Sequence, residues 1–291
     1  METRPMRDGT IFRLFAQPSR PLAIVLGTNE IASAVAVRLA WDGYFVVLSH
    51  DPHPPVIRRG MAFHDALYDD MAKVDGIEGR RAESLLDIAV LLGQPGCVAV
   101  TPLQLTELMA MRALDALIDA RMQKYQATPD LRRIARATVG LGPSFVAGVN
   151  CDVAVETHPQ ATGSLLSAGA TRAADHVARR LGGAGAERFI YSDRSGPWRT
   201  PLDIGARIFK GYVIGHLDGM PMRAPMDGFL RGVARDGAEI PYGVKIAELD
   251  PRGRSAEWTG TDERGRAIAD ATAGALRSRI APRLSSNAIA E

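Results

Sequence analysis

Apolar residues fall in short blocks between glycine, proline and charged turns, and the period of the blocks changes along the chain. Residues 21–26 and 44–48 are continuous apolar runs of the length expected for buried strands. Between them Ile31, Val35 and Leu39 recur at helical spacing, which predicts a helix over 31–41 ended by Asp42-Gly43. This is a β-turn-α-β unit, right-handed if its strands are parallel. The spacing further predicts helices over 62–68, 82–92, 103–122 and 170–181, strands over 97–100 and 189–191, and a polar connector over 74–79. From Gly196 the period shortens to small strands between glycine turns. A terminal helix follows over 262–280, with acids in its first turn and Arg277 and Arg279 in its last.

The most site-like stretch is central. Gly140, Gly142, Pro143, Ser144 and Gly148 make a loop whose backbone can approach a ligand closely, since glycine has no Cβ. Val149, Cys151, Val153 and Val155 then alternate as a strand would and deliver Glu156 and Thr157 to its far end. An earlier turn, Gly27-Thr28-Asn29-Glu30, stands where a dinucleotide fingerprint would carry a second glycine; Asn29 replaces it, and Ala32 takes the third place. Asp51 is a candidate ribose partner, the alternative being a nucleotide-type unit used only as architecture. Arg58 and Arg59 suit an anion at a helix N-terminus, or a solvated charge pair. Lys124 is a candidate for neutralising ligand charge, and Glu156 for orienting a hydroxyl or acting as a base.

Composition narrows the setting. The chain has 291 residues and a net charge of +2, which gives no electrostatic case for nucleic acid. Residues 1–20 mix Arg, Asp and Pro without the apolar core of a signal peptide, and no run reaches the roughly 18 apolar residues that span a bilayer. A cytoplasmic protein without a membrane partner is expected. Cys97 and Cys151 sit in apolar contexts as free thiols, and no His, Cys and carboxylate spacing suggests a metal.

The region after Gly196 holds a half-repeat, 200–218 and 224–250, each copy reading x-Pro-x-Asp and ending in Leu-Asp. Two such copies resemble the biotinyl/lipoyl carrier domains. The hairpin between them reads Asp218-Gly-Met-Pro-Met222, so the modified lysine of those carriers is missing and neither biotin nor lipoate is expected. Taken in order, Gly27 to Ser33, Arg58-Arg59 with Phe63 and Tyr68, Gly140 to Gly148, Glu156-Thr157, Arg223 to Gly228, and Asp250 to Gly253 with Arg252 resemble the selenium-dependent molybdenum hydroxylase system proteins. The chain is thus expected to divide into a flexible arm over 1–20, an α/β Rossmann-like part over 21–195, a small β barrel-sandwich module over 196–253, and a helix and tail over 254–291, the resemblance covering about Leu22 to Leu276. That resemblance implies a maturation partner of a molybdenum hydroxylase client, with a nucleotide, a molybdopterin-type species or another small phosphate-bearing ligand at the central loop. A scaffold docking through the carrier-like module, and a nucleotide-dependent oxidoreductase or nucleotidyltransferase, remain the alternatives; no catalytic residue is assigned and the oligomeric state is open.

Overall fold

The computed structural model describes residues 20–124 and 128–280. The expected arm, apart from Arg20, and the tail beyond 280 lie outside the described residues. The first strands are β1 (Leu22–Leu26), β2 (Phe45–Ser49), β3 (Met71–Val74), β4 (Ile77–Arg81), β5 (Cys97–Thr101) and β6 (Leu114–Asp119). They are followed by β7 (Ala135–Leu141), β8 (Val146–Ala147), β9 (Val153–Val155), β10 (Leu165–Leu166) and β11 (Gly169–Ala170). Nine of these form one sheet in the order β10-β9-β7-β6-β1-β2-β5-β4-β3. The strands from β9 to β4 are parallel, and antiparallel β10 and β3 close the two edges.

Both faces of the sheet are covered, which is why its central strands read as unbroken apolar runs. Ala23 and Val25 face one side, with Val46, Leu48 and the helices α1 (Glu30–Trp41) and α5 (Glu263–Arg279). Leu22, Ile24 and Leu26 face the other, with Val47, Ala99 and Phe145. Among the described residues that second face carries only short helices, α3 (Leu85–Leu92) and α4 (Leu105–Leu108); a further short one, α2 (Ala66–Asp69), precedes β3. Small residues let α1 and α5 approach closely: a Cβ on Gly265 would stand 3.1 Å from the Ala34 Cβ. Among the described residues no helix is long and apolar enough to cross a membrane.

The remaining strands are β12 (Phe189–Tyr191), β13 (Gly196–Arg199), β14 (Arg207–Ile208), β15 (Val213–Leu217), β16 (Met220–Arg223), β17 (Gly228–Val233), β18 (Glu239–Ile240) and β19 (Lys245–Asp250). They make two four-stranded antiparallel sheets, β12-β19-β17-β14 and β16-β15-β13-β18. The two share a core around the fully buried Trp198, whose indole N–H donates to the Ala234 carbonyl at 3.1 Å.

Several expectations are corrected. The fold is a large mixed sheet with few helices plus two small antiparallel sheets, in place of a Rossmann-like unit followed by a biotinyl/lipoyl-like barrel-sandwich. The helix expected over 103–122 is one turn, α4, followed by strand β6 between β1 and β7. The run Leu114 to Ile118 is buried on both faces there, and a short run of that kind has no period by which to tell a strand from a helix. The polar connector over 74–79 is the end of β3, the hairpin turn Asp75-Gly76 and the first half of β4. Residues 171–180 form no regular element; that segment has no apolar stripe to bury, and Val177 is 70% exposed. It is tied down at its start, where Thr171 Oγ1 donates to the Gly142 carbonyl at 2.6 Å and the Arg172 N–H to Glu156 at 2.7 Å.

Candidate functional site

The strand order reverses between β1 and β6, and in open parallel sheets the carboxyl ends flanking such a reversal frame a crevice. Gly27, with φ +108°, turns the chain there, and a Cβ on it would lie 3.1 Å from the Ala120 carbonyl oxygen. Asn29 then caps α1: its Oδ1 accepts the N–H groups of Ile31 and Ala32 at 2.9 and 3.0 Å, and its Nδ2 donates to the Ala120 carbonyl at 2.8 Å. Asn29 thus takes up two of the first N–H groups of the helix. Asn29→Ala removes both the cap and the tie to β6 and is expected to cost about 1–2 kcal/mol, read from urea unfolding.

The central glycine loop is likewise closed on itself. Gly140 lies inside β7, where a Cβ would enter the Phe145 ring. Gly142, at φ +91°, would bring a Cβ to 2.9 Å from Thr157 Oγ1. Pro143 follows, half-buried, and Ser144 takes the left-handed region at φ +76°. Asn150 laces the loop, accepting the Val146 N–H at 2.8 Å and donating to the Ser144 carbonyl at 2.9 Å. The buried Glu156 carboxylate accepts the amides of Thr157, His158 and Arg172. The glycines therefore make room for Phe145 and Thr157. Only Val153–Val155 of the expected strand forms, since the chain turns over 146–151. Gly140→Ala is expected to destabilise by about 1–3 kcal/mol, because Phe145 must move within a packed face; the urea midpoint checks this.

Where the large sheet meets the C-terminal strands lies a buried charge cluster. Glu248 and Asp250, on one face of β19, are fully buried. Arg58 grips Glu248 with two bonds of 2.6 and 3.2 Å and reaches Glu30, in the first turn of α1, at 2.9 Å. Arg188 donates to Glu248 at 3.1 Å, while Arg231 lies 3.8 Å from Glu248, 3.7 Å from Asp250 and 3.1 Å from Asp262. Burial opposes the charge of Glu248, yet Arg58, Arg188 and Arg231 hold its carboxyl below the usual range. Arg59 is engaged by Asp65 at 2.6 Å and the Val233 carbonyl at 2.9 Å. Arg252 closes bidentately on Asp250 at 3.0 and 2.7 Å, bracing the turn that leaves β19. Arg58 and Arg59 thus join the two parts of the fold, while Asp250 and Arg252 pair within the turn after β19.

Beside this cluster stand cations of a different kind. Lys245, at the start of β19, is half-buried, with Nζ 3.7 Å from the centre of the Phe189 ring and 6.0 Å from that of Tyr191. Among the described residues no carboxylate lies within ion-pair distance of it. Burial lowers its pKa to about 8, with Arg58, Lys124 and Arg188 acting in the same direction and Glu248 opposing. Lys124 is exposed at the carboxyl end of β6, again without an ion-pair partner among the described residues. Arg264, in the first half of α5, reaches only the Thr157 carbonyl, at 3.5 Å, among the described residues. Burial depresses its pKa; Glu30 opposes that and Arg58 adds to it. Arg58 is the common neighbour of Lys245 and Arg264. Of the residues expected from sequence, Gly27 and Asn29 follow β1, Lys124 follows β6 and Arg58 reaches Glu30 in the helix after β1, while Gly140 to Thr157 lie on the adjoining strands β7 to β9. Lys245, Arg264, Arg188, Arg231 and Glu248 were missed, although two acids two apart in the apolar run Ile-Ala-Glu-Leu-Asp already mark a charged face on a buried strand.

A histidine pair borders the same edge. Thr28 Oγ1 lies 3.3 Å from His50 Nδ1 and 3.0 Å from His64 Nδ1. By contrast, a depression between α3 and the β3–β4 hairpin, lined by Asp70, Arg80, Arg81, Glu83, Asp87 and Leu91, has its charges paired locally, Arg80 with Glu78 at 2.8 Å and Arg81 with Glu83.

Comparison with known proteins adds one relative. The chain is similar to YqeB. It is 31% identical over 264 residues to this uncharacterized protein of Escherichia coli (strain K12), the match covering 88% of the chain and 48% of YqeB. The chain therefore spans about half the length of that relative. No family model matches. Among solved structures, an aspartoacylase family protein from Mesorhizobium loti aligns at a TM-score of 0.26 and 12% identity over 81% of this chain and 87% of that one. A succinylglutamate desuccinylase/aspartoacylase from Rhodobacter sphaeroides aligns at 0.24 and 15% over 79% and 86%. Likenesses this slight carry no activity across. The expected molybdenum hydroxylase resemblance is corrected: no family model supports it, and neither YqeB nor the structures found carry such a description. The accessory role goes with it, and the comparisons support neither the carrier-like docking scaffold nor the nucleotide-dependent enzyme.

Proposed function

We propose that the protein binds a small organic anion in the crevice between the carboxyl edge of the large sheet and the C-terminal strands. Lys245, Lys124 and Arg264 are the charge-bearing contacts, and Arg58, held by Glu30 and Glu248, is the neighbour that positions them. The observation that carries the reading is a contrast: Arg58, Arg188, Arg231 and Arg252 each have a carboxylate, whereas Lys245, Lys124 and Arg264 have none within ion-pair distance among the described residues. Lys245 and Arg264 are half-buried positive charges without a counterion, which is costly, and an anion placed beside them and the exposed Lys124 removes that cost. A wall formed by Phe189 and Tyr191 suits the apolar portion of such a ligand.

A thermal-shift panel of small mono- and dicarboxylates with inorganic phosphate tests the proposal. At least one member is expected to raise the melting temperature at low salt, with the shift shrinking at high salt as an exposed electrostatic contribution would. No shift from any member at millimolar concentration would remove the reading.

A further inference from the structure

Residues 171–184 run from the large sheet to the C-terminal strands and are pinned at both ends. At the first end Thr171 donates its N–H to the Phe145 carbonyl at 2.9 Å and its Oγ1 to the Gly142 carbonyl at 2.6 Å. The Arg172 N–H reaches the buried Glu156 carboxylate at 2.7 Å, and its guanidinium reaches Gln160 at 2.9 Å. At the second end Leu181 and Ala184 exchange main-chain bonds of 2.8 and 3.0 Å around Gly182 and Gly183. That turn is seated on the chain leaving β19: a Cβ on Gly182 would lie 2.8 Å from Arg252 Cγ and 3.2 Å from Pro251 Cγ. One pin is therefore at the carboxyl ends of β7 and β9 and the other at the end of β19. The segment between them crosses the junction where the crevice lies.

The middle of the segment is held more lightly. Residues 173–180 form no helix or strand; Ala174 and Ala178 are half-buried and the others exposed, Val177 to 70%. His158 Nε2 lies 3.1 Å from Asp175 Oδ2, and Asp175 Oδ1 accepts the Val177 N–H at 3.1 Å, fixing a bend. Arg188 donates from Nη1 to the Arg179 carbonyl at 2.6 Å. If that bond breaks, Arg188 keeps the Gly185 carbonyl at 2.7 Å and Glu248 at 3.1 Å, so the buried cluster survives. A segment with no buried apolar side chain opens at low free energy, and the lids of binding sites are drawn from such segments.

The same segment carries positive charge. Among the described residues neither Arg179 nor Arg180 has a carboxylate within ion-pair distance, and Arg179 acts on Arg264 as a like charge. A ligand shifts a two-state element only if it interacts better with one state. An anion beside Arg264 meets that condition, because the closed segment adds the charge of Arg179 to it. We infer that residues 173–180 are a strap that lifts between its two pins to admit an anion to the crevice and closes over it once bound. What passes beneath the strap rests on the anion-binding reading above; the lifting itself does not. Asp175 is the latch.

Limited trypsin digestion of the full-length protein tests both steps, because a peptide bond must lift out of the fold to enter a protease cleft and its cleavage follows the open population. Cleavage after Arg179 and Arg180 is mapped by mass spectrometry at low salt, with cleavage after the exposed Lys210 as internal reference. Asp175→Ala is expected to speed strap cleavage about fivefold, the effect of losing one surface pair and one turn hydrogen bond, with the Lys210 rate and the urea midpoint unchanged. Asp193→Ala, which removes an exposed acid outside the strap, is expected to change neither rate. Saturating pyruvate, a small carboxylate, is expected to slow strap cleavage of the native protein roughly threefold or more, and not cleavage at Lys210. An unchanged strap rate in Asp175→Ala would overturn the inference. Parallel titration calorimetry separates the two levels. Pyruvate that binds without slowing strap cleavage overturns the gate and leaves the anion site standing; no binding of pyruvate overturns both.

Discussion

Glu248→Gln is expected to be the most damaging single substitution at the junction, lowering unfolding free energy by about 3–5 kcal/mol. The side chain is fully buried, accepts two bonds from Arg58 and one from Arg188, and lies 3.8 Å from Arg231. Glutamine keeps the shape and removes the charge, leaving guanidinium groups packed together with less compensation. A buried ion pair adds little net stability over an apolar replacement, but breaking one side of it is expensive, because the partner stays buried and charged. Glu257→Gln is the control. Its carboxylate is largely exposed, 3.8 Å from Arg252, and its removal is expected to stay within about 0.5 kcal/mol. Urea midpoints read both. A loss below about 1 kcal/mol for Glu248→Gln would mean that the cluster is not the joint between the large sheet and the C-terminal strands.

Acid is expected to unfold the protein earlier than carboxylate titration alone would. His64 is 6% exposed; burial, with His50, Arg59 and Arg235 adding to it, pushes its pKa down to about 3 from the ordinary 6.5. The unfolded chain takes up a proton near 6.5 and the folded chain only near 3, so unfolding binds a proton throughout that window. The stability held by the neutral ring is therefore complete above 6.5 and declines as the pH falls toward 3. At about 1.4 kcal/mol per unit, roughly 2 kcal/mol is gone by pH 5. Glu248, Asp250 and Asp262, whose carboxyls are held below their usual range, extend the loss at lower pH in the same direction. Urea midpoints from pH 8 to 4.5 are expected to fall steadily in the native protein and to fall less in His64→Gln. Equal slopes would show that His64 is not the group responsible.

The β1-α1-β2 segment is legible in the sequence because its strands are short, wholly apolar and separated by a clear helical period. The run at β6 is not, since Leu, Ala and Ile in four buried positions serve a helix or a two-sided strand equally well. The glycines at 140 and 142 are visible as a feature, but their cause is not: what occupies the space a Cβ would take is Phe145 or Thr157, and only the folded chain places them there. Asn29 is more informative than its absence from a fingerprint suggests. It is an N-cap residue tied to β6. The charged junction stays hidden because its members come from residues 30, 58, 188, 231, 248, 250 and 262. No local pattern links positions so far apart. Lys245 is concealed for the same reason, as its aromatic wall comes from β12 and its like-charged neighbours from three other segments.

The most direct measurement is the affinity of pyruvate for the native protein, for Lys245→Met and for Ser144→Ala, by titration calorimetry at low salt. Losing one charge-assisted contact is worth about 1.5–3 kcal/mol. The native protein and Ser144→Ala are therefore expected to bind alike, and Lys245→Met at least tenfold more weakly. Undiminished binding by Lys245→Met, or a loss confined to Ser144→Ala, would contradict a site at the crevice and return attention to the central loop.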